Sequence, residues 1–209
     1  MKSKRSLLLP VIGGLLILGL SWAGCKTSRA GYEGPEYEVT KDYGEVEIRR
    51  YEEMVGVATS MAPQKSGGRN SGFGRLFRYI TGANERGEKI AMTSPVFIES
   101  DAEASENAML FLMPKKTIEA GVPAPSNEAV NIKPMDGGIF AVLRFKRHKS
   151  RDAQRAALKK LRETMETEKL TAVGDPIFAY YDPPWTPELL RRNEVLLRVK
   201  SAEPRSPKP

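Results

Sequence analysis

The stretch GFGRLFRYITGAN (72–84) sets Phe73, Leu76, Phe77 and Ile80 at positions i, i+3, i+4 and i+7 of one apolar stripe. That spacing predicts a helix. Gly82 predicts its end, because the residue past the last turn often takes a left-handed conformation that glycine adopts without a side-chain clash. Before it, residues 62–70, with Pro63 and the pair Gly67-Gly68, read as a loop. Ahead of that loop, segments 37–43, 46–51 and 54–60 carry alternating or β-branched residues separated by polar turns, which predicts three short strands. After the helix, segments 90–99 and 109–114 predict two more strands, followed by a connection that carries Pro123 and Pro125.

The same order then recurs. Segments 130–132 and 140–146 read as strands, and Ser150 is suited to cap a second helix because its side-chain oxygen can accept from an orphan backbone N–H of the first turn. Ala157, Leu158, Leu161 and Met165 share one face of that helix, with Arg155, Lys159, Arg162 and Glu163 on the other. Segments 176–181 and 194–199 complete the strands. Strand-strand-helix-strand-strand therefore occurs twice, around Phe73 and around Leu158, with almost no shared sequence. The expected fold class is α+β, with antiparallel strands and the helices packed on one side of the sheet.

Residues 1–24 decide where the chain works. Lys2, Lys4 and Arg5 precede an apolar run from Leu7 to Leu20 that ends at Ala23-Gly24-Cys25, the pattern of a signal peptide with a small-residue cleavage site. The run, broken by Pro10, Gly13 and Gly14, is shorter than the roughly 20 residues a bilayer span needs. Cys25, the one cysteine of the chain, stands where bacterial lipoproteins carry an acylated thiol, with Trp22 in place of the usual leucine three residues before it. An uncleaved amino-terminal anchor helix is the alternative. Both place the globular part outside the cytoplasm and tethered to a membrane, and a multiply acylated cysteine meets the requirement of stable anchoring for more than one chain. Lys26 favours the outer membrane of a Gram-negative cell, at its periplasmic face. Residues 25–36 read as the lipidated cysteine and a flexible tether, 37–200 as one domain and 201–209 as a disordered tail.

Composition excludes several functions. The formal net charge is +7, of which Lys2, Lys4 and Arg5, with no acidic residue among residues 1–24, account for three, and the remaining Lys and Arg are interleaved with Asp and Glu. A nucleic-acid partner is not expected, since phosphate-binding faces carry a one-sided basic stripe. With Cys25 acylated no disulfide is possible, and stability rests on a hydrophobic core. His148, the single histidine, lies between Arg147 and Lys149 at a strand-to-helix junction, a surface position. No Cys-His pair or histidine-based metal cluster can form, and Ser71, Thr93 and Ser94 lack a visible base partner. No catalytic signature is present, and the expected protein is a binder and not an enzyme.

Three segments carry a more specific signal: Gly72-to-Asn84 itself, KIAMTSPV (89–96), and YDPPWTPELLRRNEVLL (181–197), with Pro183, Pro184, Pro187, Arg191, Arg192 and Glu194 at fixed positions. Together, from about Tyr37 to about Val199, they resemble the SOUL family of heme-binding proteins. The resemblance implies a distorted antiparallel β-barrel flanked by two helices. It also implies a noncovalently held heme or related tetrapyrrole between the first helix and the loop of the Tyr-Asp-Pro-Pro motif. A tetrapyrrole buries its ring against apolar side chains and needs cations for its propionates. Carried over by position, the site comprises Phe73, Leu76, Phe77 and Arg78 on the helix and Trp185 and Thr186 in the loop, where Thr186 replaces a basic residue of some members. Axial ligation by histidine has no matching position here, so any iron ligand would be a weak Met or Tyr, and the implied role is carriage or buffering.

Other readings of the same residues stay open. An aromatic stripe on a helix also serves as a core face, Met92 can be core or pocket lining, and Pro183, Pro184, Arg191 and Arg192 can be structural, stiffening a crossing and pairing with carboxylates. The groove could instead hold other amphiphilic ligands, or a segment of an envelope protein partner.

Overall fold

The computed structural model describes residues 31–62, 71–100, 107–146 and 150–200; Cys25 and His148 lie outside them. The strands are β1 (Tyr37–Asp42), β2 (Val46–Tyr51), β3 (Met54–Ser60), β4 (Val96–Ser100), β5 (Asn107–Leu112), β6 (Asn131–Met135), β7 (Gly138–Phe145), β8 (Ala172–Tyr180) and β9 (Asn193–Val199). They form one sheet in the order β1-β2-β7-β9-β8-β4-β5-β3-β6. All of its pairings are antiparallel.

The duplication read from the sequence is visible in this order. One half contributes β3, β5 and β4 as neighbours, the other β7, β9 and β8, and the halves join where β4 pairs with β8. The first strand of each half pairs with the other half, β2 on β7 and β6 on β3. Since β1 and β6 are the two ends of the order, the sheet is open, and "barrel" describes its curl and not a closed cylinder.

Helix α1 (Gly72–Ile80) starts at Ser71, whose Oγ accepts from the Gly74 N–H at 3.1 Å. It ends with the Ala83 N–H on the Arg78 carbonyl at 2.9 Å and the Gly82 N–H on the Tyr79 carbonyl at 3.3 Å, with Gly82 at φ +122°. This pair of bonds is a Schellman closure, and it depends on the glycine. Helix α3 (Arg151–Thr167) is capped by Ser150, whose Oγ accepts from the Ala153 N–H at 3.1 Å. Ser150→Ala should therefore cost about 1 kcal/mol of stability, read as a lowered urea midpoint with an unchanged slope.

Both faces of the sheet are buried, by different means. On one face Leu76, Tyr79 and Ile80 of α1 and Ala157, Leu161 and Met165 of α3 pack with Val57, Ile98, Phe111, Leu143, Phe178 and Val195. On the other, Tyr51, Ala58, Phe97, Leu110, Phe140, Val142, Ala179 and Leu196 form a second cluster that includes no residue of α1 or α3. A sheet face that is buried without a covering helix must be curled around itself, which sets α1 and α3 on the convex side. At Gly56, a Cβ would lie 2.7 Å from Leu110 Cδ2 and 2.8 Å from the Phe111 carbonyl oxygen, so β3 can approach β5 there only as glycine.

Three expectations are adjusted. A third helix, α2 (Lys115–Glu119), follows Pro114; it buries none of its residues and so carries no apolar stripe to be read. The strand expected over 90–99 starts only at Val96. Pro95 brings no N–H to a ladder, and the residues before it are tied elsewhere: Ile90 N–H to the Ile80 carbonyl, Thr93 Oγ1 to the Leu112 carbonyl, and Ser94 N–H to the Glu33 carbonyl. Strand β8 begins four residues earlier than expected, because a register shift between Val173 and Ile177, holding Gly174 and Pro176, lets the ladder resume upstream.

Candidate functional site

The stripe read on α1 divides in the structure. Gly72, Arg75, Leu76, Tyr79 and Ile80 face the sheet, whereas Phe73 and Phe77 stay 44% and 47% exposed. Arg75 takes a core position that apolar periodicity assigns to a hydrophobe: its Nε donates to Thr59 Oγ1 at 2.8 Å, and a second nitrogen reaches the Ser60 carbonyl. Tyr79 takes another, its hydroxyl donating to the Pro123 carbonyl at 2.8 Å. With polar atoms of Arg75 and Tyr79 satisfied in the interior, the helix turns its two phenylalanines outward. Their rings stack at 5.9 Å and 14°, and Phe73 meets Phe111 edge-on at 5.3 Å. The result is a fixed aromatic shelf with open ring area.

Of the residues named from the sequence, Phe73 and Phe77 form the shelf, Arg78 is exposed one residue further along, and Leu76 is 0% exposed beneath it, a core residue that supports the shelf from below. Met92 packs partly buried against the core. Trp185 and Thr186 stand on the β8–β9 connection, Trp185 the more exposed. Strand register relates this connection to α1. Val96 pairs with both Tyr180 and Phe111, and all three belong to the helix-covered face. Two strand spacings put Tyr180, the last residue of β8, roughly 10 Å from Phe111 and thus from the shelf that rests on it. On the far side, Gln154 of α3 donates to the Tyr180 hydroxyl. The half-buried Val96 therefore lies on β4 between the strands that carry α1 and those that carry α3.

The connection is held rigidly. Arg191 Nε donates to the Thr186 carbonyl at 2.7 Å and its Nη2 to the Pro184 carbonyl. The Arg192 N–H donates to Asp182 Oδ2 at 2.6 Å, and a 3₁₀ turn spans Glu188–Leu190. Of the two arginines weighed as carboxylate partners, Arg192 is one and Arg191 is a loop staple.

Inside the curl is a polar cluster that the sequence did not announce. Glu194, 0% exposed, accepts from Arg49 (2.8 and 3.2 Å), Arg192 (2.7 and 3.0 Å) and the Tyr181 hydroxyl (2.8 Å). Arg49 also receives the Tyr37 ring at 4.3 Å, and Arg192 the Tyr181 ring at 4.1 Å. Burial pushes the Glu194 carboxyl up, but the Arg49 and Arg192 guanidinia and the tyrosine hydrogen bond outweigh it and hold the group down at about 2. Burial pushes the Tyr181 phenol well above its usual value, so it stays a donor. Tyr181, Arg192 and Glu194 belong to the quoted motif, but Arg49, alternating with Glu47 and Tyr51 in β2, carried no signal. Among the described residues no group of three His, Cys, Asp or Glu could hold a metal ion.

Two cavities lie away from the shelf. One, of about 100 Å³, is lined by Glu33, Glu36, Glu53, Met54, Met113 and Ile118. The other, a cleft of about 660 Å³ at one end of the sheet, is lined by Arg50, Tyr51, Gly137, Ile139, Arg198 and Lys200. Arg198 in the latter is committed to the Gly137 and Asp136 carbonyls at 2.7 Å each.

Fold and site together define a class: a duplicated antiparallel α+β domain with exchanged first strands, an aromatic shelf on its first helix and a braced, proline-rich connection after β8. Residues 32–198 match the family model described as SOUL heme-binding protein, and the chain belongs to that family. It is 30% identical over 128 residues to heme-binding protein 1 of Mus musculus, across 59% of this chain and 67% of that one. To heme-binding protein 1 of Xenopus tropicalis it is 27% identical over 125 residues, across 58% and 65%. The matches thus span about two thirds of the relatives' length. Among solved structures it is similar to the C-terminal domain of EcmrR, with a TM-score of 0.54 at 13% identity over 79% of this chain and 98% of that one. It is also similar to a hydrolase from Listeria innocua, with a TM-score of 0.51 at 14% identity over 75% and 94%. At such identities these two likenesses bear on the fold alone.

Proposed function

We propose that this chain is an exported, membrane-tethered protein that holds heme or a related tetrapyrrole noncovalently, as a carrier or buffer and not as a catalyst. Family membership supports the ligand. The observation that carries the placement is the pair of stacked, half-exposed rings of Phe73 and Phe77 on a helix whose other face is fully used by the core. A flat macrocycle can cover these rings, Arg78 at the helix edge suits a propionate, and Trp185 and Thr186 border the site from the β8–β9 connection.

The donor set suits stacking and charge better than strong ligation. The chain has one histidine and one cysteine, His148 and Cys25, both outside the described residues. When bound, heme would supply a planar conjugated ring and two carboxylates, and the residues named meet both features. The site should then accept porphyrins with little regard to the metal. Export and tethering rest on residues 1–25, with acylated Cys25 as the anchor and the periplasmic face of an outer membrane as the location.

The test is a titration of residues 26–209 with hemin and, separately, with metal-free protoporphyrin, following the Soret band and tryptophan quenching. One-to-one saturation by both ligands, weakened about tenfold or more in Phe77→Ala/Arg78→Ala, is the expected result, since two lost contacts of this kind sum to more than about 1.4 kcal/mol. A folded domain with no saturable binding would remove the tetrapyrrole reading and favour a protein partner. Displacement by lipids or dyes at equal affinity would favour a general amphiphile site.

A further inference from the structure

Trp185, Leu189 and Leu190 are 83%, 81% and 62% exposed, more than any other large hydrophobic residue among those described. They fall within six residues on a single connection, and they are not exposed through slackness. Besides the Arg191 staple, the Thr186 N–H donates to the Pro183 carbonyl at 3.0 Å and the Leu190 N–H to the Pro187 carbonyl at 2.9 Å. Pro183, Pro184 and Pro187 restrict the backbone further. A loop held in a shape that presents an indole and two leucines to water, in a chain with ample core in which to bury them, is built for an apolar partner.

The way the chain enters the domain indicates which partner. The Glu33 carbonyl accepts from the Ser94 N–H at 2.8 Å, and the Ser94 hydroxyl donates to the Tyr181 carbonyl at 3.1 Å. Tyr181 and Arg192, bonded N–H to carbonyl at 3.2 Å, are the two feet of the connection. One serine thus joins the N-terminal entry to the base of the Trp185 loop. The described chain enters the domain, at Glu33, beside the base of the connection that carries Trp185, Leu189 and Leu190.

We infer that this connection is a second lipid contact: Trp185, Leu189 and Leu190 enter the headgroup and acyl boundary of the same bilayer that holds the N-terminus. The inference rests on the membrane-tethered reading of residues 1–25 and, because Trp185 also borders the proposed tetrapyrrole site, concerns the ligand-free chain. Indole and leucine are the side chains suited to that boundary, and shallow burial of apolar surface adds to the affinity of an anchor. Contact at this edge also fixes the orientation of the domain on its tether.

The test uses the full chain with Trp22→Phe, which leaves Trp185 as the sole tryptophan, reconstituted without tetrapyrrole in phosphatidylcholine vesicles. Flotation reports anchoring, and acyl-chain bromination of the lipid reports depth. The expected result is that the chain floats and that bromolipid removes about half or more of the Trp185 emission, with a blue-shifted maximum, as for an interfacial indole. Adding Leu189→Asp and Leu190→Asp should restore most of that emission while flotation persists. A floating chain whose Trp185 is quenched by aqueous iodide and untouched by bromolipid overturns the inference and leaves the anchor standing. A chain that does not float overturns both. A blue shift that needs no lipid and accompanies a dimer in sedimentation assigns the loop to a second copy and likewise overturns it.

Discussion

Glu194→Gln should cost about 3 to 5 kcal/mol of stability at neutral pH, the range found when one partner of a buried ion pair is removed and the other charges stay behind. In this chain two buried guanidinia stay behind, those of Arg49 and Arg192, and the half-exposed Arg144 loses a third pairing at 3.7 Å. Arg49 would keep Glu47 as a carboxylate partner at 2.6 Å, and Arg192 would keep none among the ion pairs described. The same contact makes a pH signature. The Glu194 carboxyl is held down from 4.5 to about 2, so the stability it contributes is complete above about 4.5 and is lost as pH falls towards 2. That lowering corresponds to about 3 kcal/mol between those limits. Urea unfolding across that window should show a steep fall for the wild type and a flatter one for the glutamine variant. Parallel slopes in the two proteins would show that Glu194 is not the group responsible. Glu47→Gln is a useful contrast: its side chain is one-third exposed, and its loss should cost at most about 1 kcal/mol.

The second large effect separates two neighbours on α1. Leu76→Ala should lower stability by about 2 to 5 kcal/mol, because it empties a fully buried position between the helix and β3 and β5. Tetrapyrrole affinity of the folded fraction should hardly change. Phe77→Ala should do the reverse. Its stacking on Phe73 is a helix-surface contact worth about 0.5 kcal/mol, so stability barely moves, while hemin affinity falls. Chemical unfolding and hemin titration of both variants decide it. Equal loss of stability in the two would make the aromatic pair part of the core, and the shelf would then not be a binding surface.

The apolar pattern around Phe73 and Leu158 sufficed for the order of the strands, α1 and α3 and for the duplication, because helix and strand periods differ and each of these elements buries one face. It could not show that β2 and β6 are exchanged between halves, since pairing of non-sequential strands depends on tertiary contacts that no local pattern records. It also left the orientation of α1 open. Periodicity assigns Phe73 and Phe77 to the same face as Leu76 and Ile80, and only the hydrogen bonds of Arg75 to Thr59 and of Tyr79 to Pro123 explain the rotation that leaves the rings outside. The short α2 was illegible for want of a buried face. In the Tyr181-to-Leu197 motif, the family resemblance singled out the segment, but the division of labour within it became clear only from geometry: Arg191 staples the loop and Arg192 pairs with Glu194. The partner of that glutamate on β2, Arg49, lies 145 residues away in sequence.

Strand β9, the last of the described strands, sits at the inner part of the sheet between β7 and β8. Until Asn193–Val199 is in place, β7 has no partner on that side, β8 has only β4, and Arg49 has no Glu194. Native pairing therefore closes late and over long loops, which is the condition for slow folding. A chain of this topology cannot complete its sheet until Asn193–Val199 has joined it, so everything made before that segment forms at most a partial sheet.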